Sequence, residues 1–367
     1  MTTEEPTIST PWRSDPTAMA DRIAAWWEAR RAPGAKVTEV TAPEGSGMSS
    51  ETLLFTVEPS DGTPERYVAR LAPLASQQFP VFPEYDLELQ RQVMQTVAAH
   101  TDVPVPEVLT HEADPEWLGS PFLLMRRIDG VVPSDVPPYT MGGWLFEASP
   151  ENQRKLERES VRVLARLHEL TPATHDLAFL DRPKFGATAL DQHLEYQRWY
   201  YDWARDGETV PLIERTFAAL DKTRPVEGPT VLNWGDSRIG NMMFHDFAPA
   251  AVLDWEMAAL GPAEVDVAWM IFMHRFFEHL TTRYEMPCLD DFLQRDRVRE
   301  IYLEESGREL HDIDWYEMFA AQRFAIVSIR TTLRGVAYGD AEMPEDLDDV
   351  IMFRDLLEEM VERAEAG

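Results

Sequence analysis

The chain is predicted to form an α+β fold of two lobes, a small β-rich lobe over residues 1–128 and a larger helical lobe over residues 129–367. Its 367 residues exceed the size at which one hydrophobic core is usual. Short strand-like runs dominate the first part, and helical periodicity dominates the second. A segment rich in proline and aspartate, 131–140, separates the two patterns and is typical of a connector.

The N-terminal lobe is predicted to begin with a helix, because Asp15 offers a polar cap and Pro16 stands in the first turn. Apolar runs between turn residues predict the strands that follow. Farther along, Leu87, Met94 and Val97 form an apolar stripe with the spacing of a helix face. The predicted elements are a helix at 18–31, strands at 36–41, 52–58 and 66–71, a helix at 85–100, and extended segments around residue 108 and at 122–128.

The C-terminal lobe shows helical patterns at 151–170, 189–206 and 212–220. A short β-rich stretch at 231–253 interrupts the helices, which then continue to the end of the chain. His168 lies on the apolar side of the first of these helices, and we expect it to be a packed, hydrogen-bonded core residue.

Composition excludes some classes of partner. The formal net charge of −31 argues against a nucleic-acid ligand, because so acidic a chain repels phosphate backbones. The acids either form a solvated surface or attract a cationic substrate. The single cysteine, Cys288, excludes an internal disulfide and predicts a cytoplasmic protein. The acidic, proline-containing N-terminus predicts no signal peptide, and the best apolar stretch, 268–273, is too short to cross a membrane.

Two segments carry a pattern that suits phosphoryl transfer. Residues 231–244 are Val-Leu-Asn-Trp-Gly-Asp-Ser-Arg-Ile-Gly-Asn-Met-Met-Phe, and residues 251–256 are Ala-Val-Leu-Asp-Trp-Glu. Asp236 and Asn241 stand five apart in a glycine-containing loop, and Asp254 follows a strand-like triplet. Transfer to an alcohol needs a carboxylate that accepts the hydroxyl proton and oxygen ligands that hold magnesium on the phosphates. Each residue alone is more often a turn former or a cap. Their joint order matches a kinase catalytic loop followed by a metal-binding strand.

With these motifs the chain resembles the aminoglycoside phosphotransferase and choline kinase branch of the protein-kinase-like fold. The signature of that branch is His-Gly-Asp, four residues, Asn, and later a strand that ends in Ile/Leu-Asp-x-Glu. The resemblance implies that Asp236 is the catalytic base and that Asn241 and Asp254 bind Mg²⁺, with Glu256 as a further metal-site candidate. It also implies that Asp266 braces the loop rather than touching the substrate.

Two positions near the motif differ from the common pattern or add to it. Trp234 occupies the usual histidine position, and its indole N–H is expected to replace the histidine's hydrogen bond. Arg238 lies two residues after the base, where protein-serine kinases place a lysine against the transferred phosphate. A guanidinium there can hold phosphoryl oxygens through paired hydrogen bonds, so Arg238 is predicted to be catalytic.

The N-terminal lobe is predicted to bind the nucleotide. Gly45, Ser46 and Gly47 lie between two strands, where small residues let backbone N–H groups approach phosphates. Arg70 ends a Tyr-Val-Ala-Arg strand similar to the Val-Ala-x-Lys strand of kinases, and it stands at the position of the phosphate-binding lysine. The chain has no lysine between 36 and 155 that could take this role. An ordinary solvent-facing arginine is the alternative.

The strand at 122–128 resembles the strand and hinge of the same branch. The resemblance implies that backbone groups of Met125, Arg126 and Ile128 bond to the adenine edge, although a buried edge strand would look alike. The acidic partner of Arg70 on the predicted helix at 85–100 is left open between Asp86 and Gln90.

The family resemblance implies an ATP- or GTP-dependent, Mg²⁺-dependent phosphotransferase that acts on a hydroxyl of a small molecule such as an aminoglycoside, macrolide, choline or sugar. In the helical lobe, Trp199, Tyr200 and Trp203 either wall the acceptor or belong to the core. Glu195 and Asp202 are candidates to bind an amine. The oligomeric state stays open.

A second interpretation is a catalytically weak pseudokinase that binds nucleotide and acts as an interaction module. Trp234, Arg70 and the unclear helix acid motivate it, whereas the intact base and metal ligands count against it. A protein kinase is disfavoured, because the sequence holds no Asp-Phe-Gly and no Ala-Pro-Glu.

Overall fold

A computed structural model describes residues 15–43, 50–60, 62–74 and 80–366 of the chain. It confirms the α+β, two-lobed fold. Described strands up to Arg126 form one antiparallel sheet, and the described part after Pro150 is mostly helical. Within the described residues, none of the helices combines the length and apolar character that spanning a bilayer requires.

The N-terminal lobe is a five-stranded antiparallel sheet in the order β1-β2-β3-β5-β4. Its elements are α1 (Pro16–Arg30), β1 (Lys36–Thr41), β2 (Glu51–Glu58), β3 (Glu65–Leu71), α2 (Leu87–His100), β4 (Val108–Glu112) and β5 (Phe122–Arg126). Asp15 caps α1 as predicted, accepting a bond from the Thr17 N–H at 2.9 Å. Trp26 and Trp27 of α1 bury their rings against aromatic side chains of the sheet, and this fixes α1 on one sheet face.

Helix α2 joins the sheet to the second lobe. It begins at Leu87, two residues later than predicted, because the Asp86 carboxylate accepts a bond from the Leu89 N–H at 2.9 Å and caps the helix. Val93 and Val97, fully buried, belong to the large core that also includes the helices of the second lobe. The predicted apolar stripe is therefore the buried face of α2.

The second lobe surrounds two small antiparallel pairs with helices. Its elements are α3 (Pro150–Leu167), α4 (Ala189–Ala204), α5 (Pro211–Lys222), β6 (Thr230–Asn233), β7 (Met242–His245), β8 (Ala248–Val252), β9 (Ala259–Pro262), α6 (Glu264–Arg283), α7 (Arg295–Ser306), α8 (Ile313–Tyr338) and α9 (Arg354–Ala366). Strand β6 pairs with β9, and β7 pairs with β8. The predicted β-rich stretch is thus split by a loop at 234–241, which the two pairs hold from both sides.

The connector after β5 is anchored to the second lobe rather than hanging between the lobes. The Val131 N–H donates to the Phe244 carbonyl at 2.9 Å, and the Phe244 N–H donates to the Val131 carbonyl at 2.8 Å.

His168 is fully buried, as predicted, and contacts the Tyr302 hydroxyl at 2.8 Å and the Asp266 carboxylate at 3.3 Å. These contacts connect the end of α3 to Tyr302 of α7 and to Asp266 of α6.

Candidate active site

The loop at 234–241 is built around one tight turn. Gly235 has a φ of +93°, and a side chain there would clash with the Met257 carbonyl. Only glycine adopts this conformation readily, and only a residue without Cβ fits this close approach. The turn places Asp236 directly after β6, between the two lobes.

Asp236 is oriented by three donors. Its Oδ1 accepts from the Trp269 indole N–H at 2.8 Å, and its Oδ2 accepts from the Asn241 side-chain amide at 2.7 Å. The Arg238 Nε lies 3.3 Å from Oδ2. The side chain nevertheless keeps 17% of its surface exposed, so a substrate hydroxyl can reach the carboxylate. The sequence did not predict the contact with Trp269, because this residue lies 33 positions after Asp236 in the chain.

The strand that follows brings Asp254 beside the loop. The Leu253 N–H donates to the Asn241 carbonyl at 2.9 Å, so Asn241 and Asp254 are neighbours in space. Asp254 adopts a left-handed backbone conformation, φ 63°, which aspartate tolerates better than most residues. The two neighbouring segments therefore carry an amide and a carboxylate, whose oxygens are ligand types that Mg²⁺ accepts.

Arg70 reaches this strand from the N-terminal lobe. Its guanidinium forms ion pairs with Asp254 and, at 3.3 Å, with Glu256. Burial lowers the pKa of Arg70, but the two carboxylates outweigh burial and the net pKa is raised. The structure therefore assigns Arg70 to the cleft between the lobes, and the alternative of a solvent-facing strand arginine is wrong.

Arg70 pairs with acids of the second lobe and not with a side chain of α2. The ion-pair partners of Arg70 are Asp254 and Glu256, both from the second lobe. Asp86 caps α2, and Gln90 is 2% exposed on the buried side of that helix. Neither side chain contacts Arg70 through a hydrogen bond within the described residues.

Asp266 braces the loop, as the resemblance implied. Its carboxylate accepts the Trp234 N–H at 2.6 Å and the Gly235 N–H at 2.8 Å, and its carbonyl accepts the Ser237 hydroxyl at 2.7 Å. The Trp234 indole N–H donates to the Leu253 carbonyl at 2.8 Å. The indole N–H of Trp234 thus joins the loop to the segment that carries Asp254.

Arg238 is held between two acids. Its guanidinium pairs with Asp236 and with Asp135, which belongs to the connector and was not predicted to take part. Burial lowers the pKa of Arg238, yet Asp236 and Asp135 outweigh it and raise the net pKa. A permanent positive charge therefore lies next to the candidate base.

The structure describes three of the other residues that were predicted to contact the nucleotide, Met125, Arg126 and Ile128. Gly45, Ser46 and Gly47 lie outside the described residues. Met125 and Arg126 end β5, and the Arg126 N–H donates to the Glu107 carbonyl at 3.0 Å. That amide is used within the lobe and is not free for an adenine, whereas Ile128 lies just beyond the strand.

A cavity lies beside Glu256 and Met257. Its other walls are Phe82, Glu84, Leu180, Arg182, Gln192, His193, Tyr196, Gln197, Tyr200, Ala259, Leu260 and Arg323.

Of the three aromatic residues suggested as an acceptor wall, only Tyr200 lines this cavity. Trp199 and Trp203 pack against the core. The two acids suggested for amine binding form ion pairs with arginines three residues further along the chain, Glu195 with Arg198 and Asp202 with Arg205.

Comparison with known proteins identifies the family. A sequence model of the phosphotransferase enzyme family matches residues 41–310. The chain belongs to this family. The phosphotransferase fold is also seen in solved structures. A Ralstonia eutropha protein assigned to the aminoglycoside phosphotransferases has a TM-score of 0.66 and 22% identity, over 94% of this chain and 98% of that one. A thermostable mutant of aminoglycoside phosphotransferase APH(4)-Ia, in complex with AMP-PNP and hygromycin B, has a TM-score of 0.56 and 15% identity, over 94% and 99%.

Curated relatives of this phosphotransferase carry other names. Probable acyl-CoA dehydrogenase IBR3 of Arabidopsis thaliana is 26% identical over 78% of this chain and 35% of its own length. Acyl-CoA dehydrogenase family member 10 of Mus musculus is 30% identical over 50% of this chain and 16% of its own length. The chain thus spans about a third or less of these relatives.

Proposed function

We propose that this phosphotransferase transfers the γ-phosphoryl group of ATP or GTP to a hydroxyl of a small molecule, with Asp236 as general base. One observation carries the proposal. Asn241 binds the Asp236 carboxylate, the residue before Asp254 bonds to the Asn241 backbone, and Arg70 reaches Asp254 from the other lobe. Residues 1–128 would bind the nucleotide, and residues 129–367 would hold the catalytic loop and the acceptor.

The position of Asp236 suits proton transfer from an alcohol. Trp269 and Asn241 each donate to one of its two oxygens, so the carboxylate cannot turn away from the cleft. Each oxygen of an ionised carboxylate has a further lone pair that can accept the bond of an incoming hydroxyl. Arg238, beside the base, would bind the oxygens of the phosphoryl group as negative charge shifts toward the leaving nucleotide.

The residues present fit magnesium. Asn241 and Asp254 offer hard oxygen donors on segments that the Leu253–Asn241 backbone bond joins, and Glu256 adds a third oxygen donor two residues after Asp254. Mg²⁺ usually takes one or two protein carboxylates and completes its shell with phosphates and water. When bound, Mg²⁺ would supply charge neutralisation on the phosphates. Arg70 pairs with Asp254 and Glu256, and the α- and β-phosphates would compete for its guanidinium.

The fold does not identify the acceptor. Solved structures with this fold are named as aminoglycoside and macrolide phosphotransferases, whereas the curated relatives are named acyl-CoA dehydrogenases. Fold similarity at this level of identity does not choose among acceptors. The cavity beside Glu256 is the proposed acceptor site, because it adjoins the segment that carries Asp254 and is lined mostly by residues of the second lobe.

The proposal is tested by ADP release with Mg²⁺, ATP and a panel of alcohols. Asp236→Ala is expected to lower kcat by about a hundredfold or more, the usual effect of losing a general base. Asp296→Ala, which removes an acid whose side chain is 90% exposed on α7, is the matched control and should leave kcat unchanged. Equal turnover in the Asp236 variant would refute the assignment. Tight ATP binding by calorimetry without transfer to any alcohol would instead favour the pseudokinase.

A further inference from the structure

One buried cation in the second lobe lacks the partners that buried cations normally have. Arg323 of α8 is 2% exposed, and its Nη2 donates to the Gly235 carbonyl at 3.0 Å. Its Nε and Nη1 find no hydrogen-bond acceptor among the described residues. A guanidinium carries five N–H donors, so most of its hydrogen-bonding capacity is unused.

Such burial is costly unless something else compensates it. Removing a cation from water without an ion-pair partner is strongly unfavourable. Burial lowers the pKa of Arg323 to about 10, despite the attraction of Asp266 and Asp236, so the side chain stays protonated at neutral pH. The guanidinium lies 4.4 Å from the Trp269 ring centroid, a cation–π contact that recovers part of the cost. The Nε and Nη1 groups are themselves buried, so an anion would reach them when the side chain turns toward the cavity that it lines.

Arg323 faces the cavity and lies close to the candidate base. It lines the cavity, and its bond to Gly235 is one residue away from Asp236. The ring it covers belongs to Trp269, whose indole N–H binds the Asp236 carboxylate at 2.8 Å. An anion bound to Arg323 would therefore hold the rest of its molecule within a short distance of the base.

The cavity wall holds two glutamates and two arginines. Both glutamates have ion-pair partners outside the wall, Glu84 with Lys184 at 3.5 Å and Glu256 with Arg70 at 3.3 Å. The second arginine, Arg182, lies 5.0 Å from the Tyr196 ring centroid, and no carboxylate of the described residues forms an ion pair with it. Arg323 and Arg182 are therefore the two charged side chains of the wall that have no ion-pair partner among the described residues.

His193, which lines the same cavity, adds no charge. Burial lowers its pKa to about 3, so the ring is neutral and its Nε2 lies 3.3 Å from the Asn233 side-chain oxygen. The cationic character of the wall therefore depends on Arg323 and Arg182 alone.

We propose that the cavity binds an acceptor that carries an anionic group, a carboxylate or a phosphate ester, and that Arg323 is the residue that selects it, with Arg182 as a second contact. The inference rests on the proposed phosphotransfer and adds the class of its acceptor. It reverses the expectation of a cationic acceptor that the overall acidity permits. A hydroxy acid or a hydroxyalkyl phosphate, held by its anion, would direct its hydroxyl toward Asp236.

The first test is a binding measurement that needs no turnover. Calorimetry with the full-length protein compares ω-hydroxypentanoate, its amide, ω-aminopentanol and pentanediol monophosphate. We expect at least one anion to bind about tenfold or more tightly than the amide, the effect of one charged hydrogen bond. The two anions separate a carboxylate site from a phosphate site. Equal affinity for acid, phosphate and amide, or preference for the amine, would overturn the proposal.

The variants separate anion binding from folding. Arg323→Gln is expected to remove the preference for anions over the amide, and Arg323→Lys to retain part of it because the charge remains. Arg330→Gln is the matched control, because Arg330 is a buried arginine on the same helix that also covers a tryptophan, with 4.0 Å to the Trp203 ring centroid, yet does not line the cavity. Circular dichroism checks that each variant is folded.

Turnover then distinguishes the inference from the proposed function. ADP release that requires Asp236 but is equally fast with the acid, amide and amine would refute the anionic acceptor and leave phosphotransfer intact. Anion binding that depends on Arg323, without transfer to any probe, would support the anion site and count against the proposed function. An equal loss of activity toward acid and amide in Arg323→Gln would show that Arg323 only positions the loop, and would overturn the proposal.

Discussion

The bracing of the catalytic loop by Asp266 can be tested by Asp266→Asn, a change that preserves shape and removes one acceptor. The carboxylate is fully buried and accepts the N–H groups of Trp234 and Gly235 at 2.6 and 2.8 Å. An asparagine amide has one oxygen, so one of these N–H groups would face an NH₂ donor.

The magnitude follows from those two bonds. A buried N–H left without an acceptor costs about 1–3 kcal/mol, and the surviving bond weakens by about 1 kcal/mol when its acceptor loses charge. The expected loss in the free energy of unfolding is therefore about 3 kcal/mol, a large share of the usual ~5–15 kcal/mol. A displaced Asp236 should also lower kcat by about a hundredfold, as small misplacements of catalytic groups do.

Urea unfolding followed by tryptophan fluorescence measures the first effect, and ADP release measures the second. For a slope of about 3 kcal/mol/M, the midpoint should fall by about 1 M. Asp296→Asn, at a side chain that is 90% exposed, is the control and should change stability by less than about 0.5 kcal/mol. A loss below that value for Asp266→Asn, with unchanged kcat, would refute the view that this carboxylate holds the loop.

Three further predictions follow from the same region. His193 has its pKa lowered from 6.5 to about 3 by burial, so the unfolded state binds its proton first as pH falls. Stability should therefore drop between pH 6.5 and 3, by about 2 kcal/mol at pH 5, and His193→Gln should flatten that part of a urea-unfolding series against pH. Trp234→Phe removes the indole donor to the Leu253 carbonyl and should cost about 1–2 kcal/mol, whereas unchanged unfolding would show that the bond is dispensable. Arg70→Gln should raise the KM for ATP by about tenfold or more while the protein stays folded, and an unchanged KM would place the phosphates away from Arg70.

The candidate base and metal ligands could be predicted because they lie close together in the sequence. Asp236 and Asn241 lie in one short loop whose glycine dictates the turn, and Asp254 follows at the end of the next strand pair. Apolar periodicity likewise predicted most strands and helices, since burial on one face leaves a spacing that can be read directly. Element boundaries moved by a few residues where a cap decided them, as at Asp86.

The partners of these residues were decided by tertiary structure. Arg70 meets Asp254 across 184 positions, Arg238 meets Asp135 across 103, and Arg323 meets Gly235 across 88. Local propensity extends over only a few residues, so it cannot specify which distant side chains the packing of two lobes brings together. The sequence by itself therefore determined the reaction type and the residues of the loop. Whether Arg323 lines the proposed acceptor cavity depends on where α8 packs, and only the folded chain decided that.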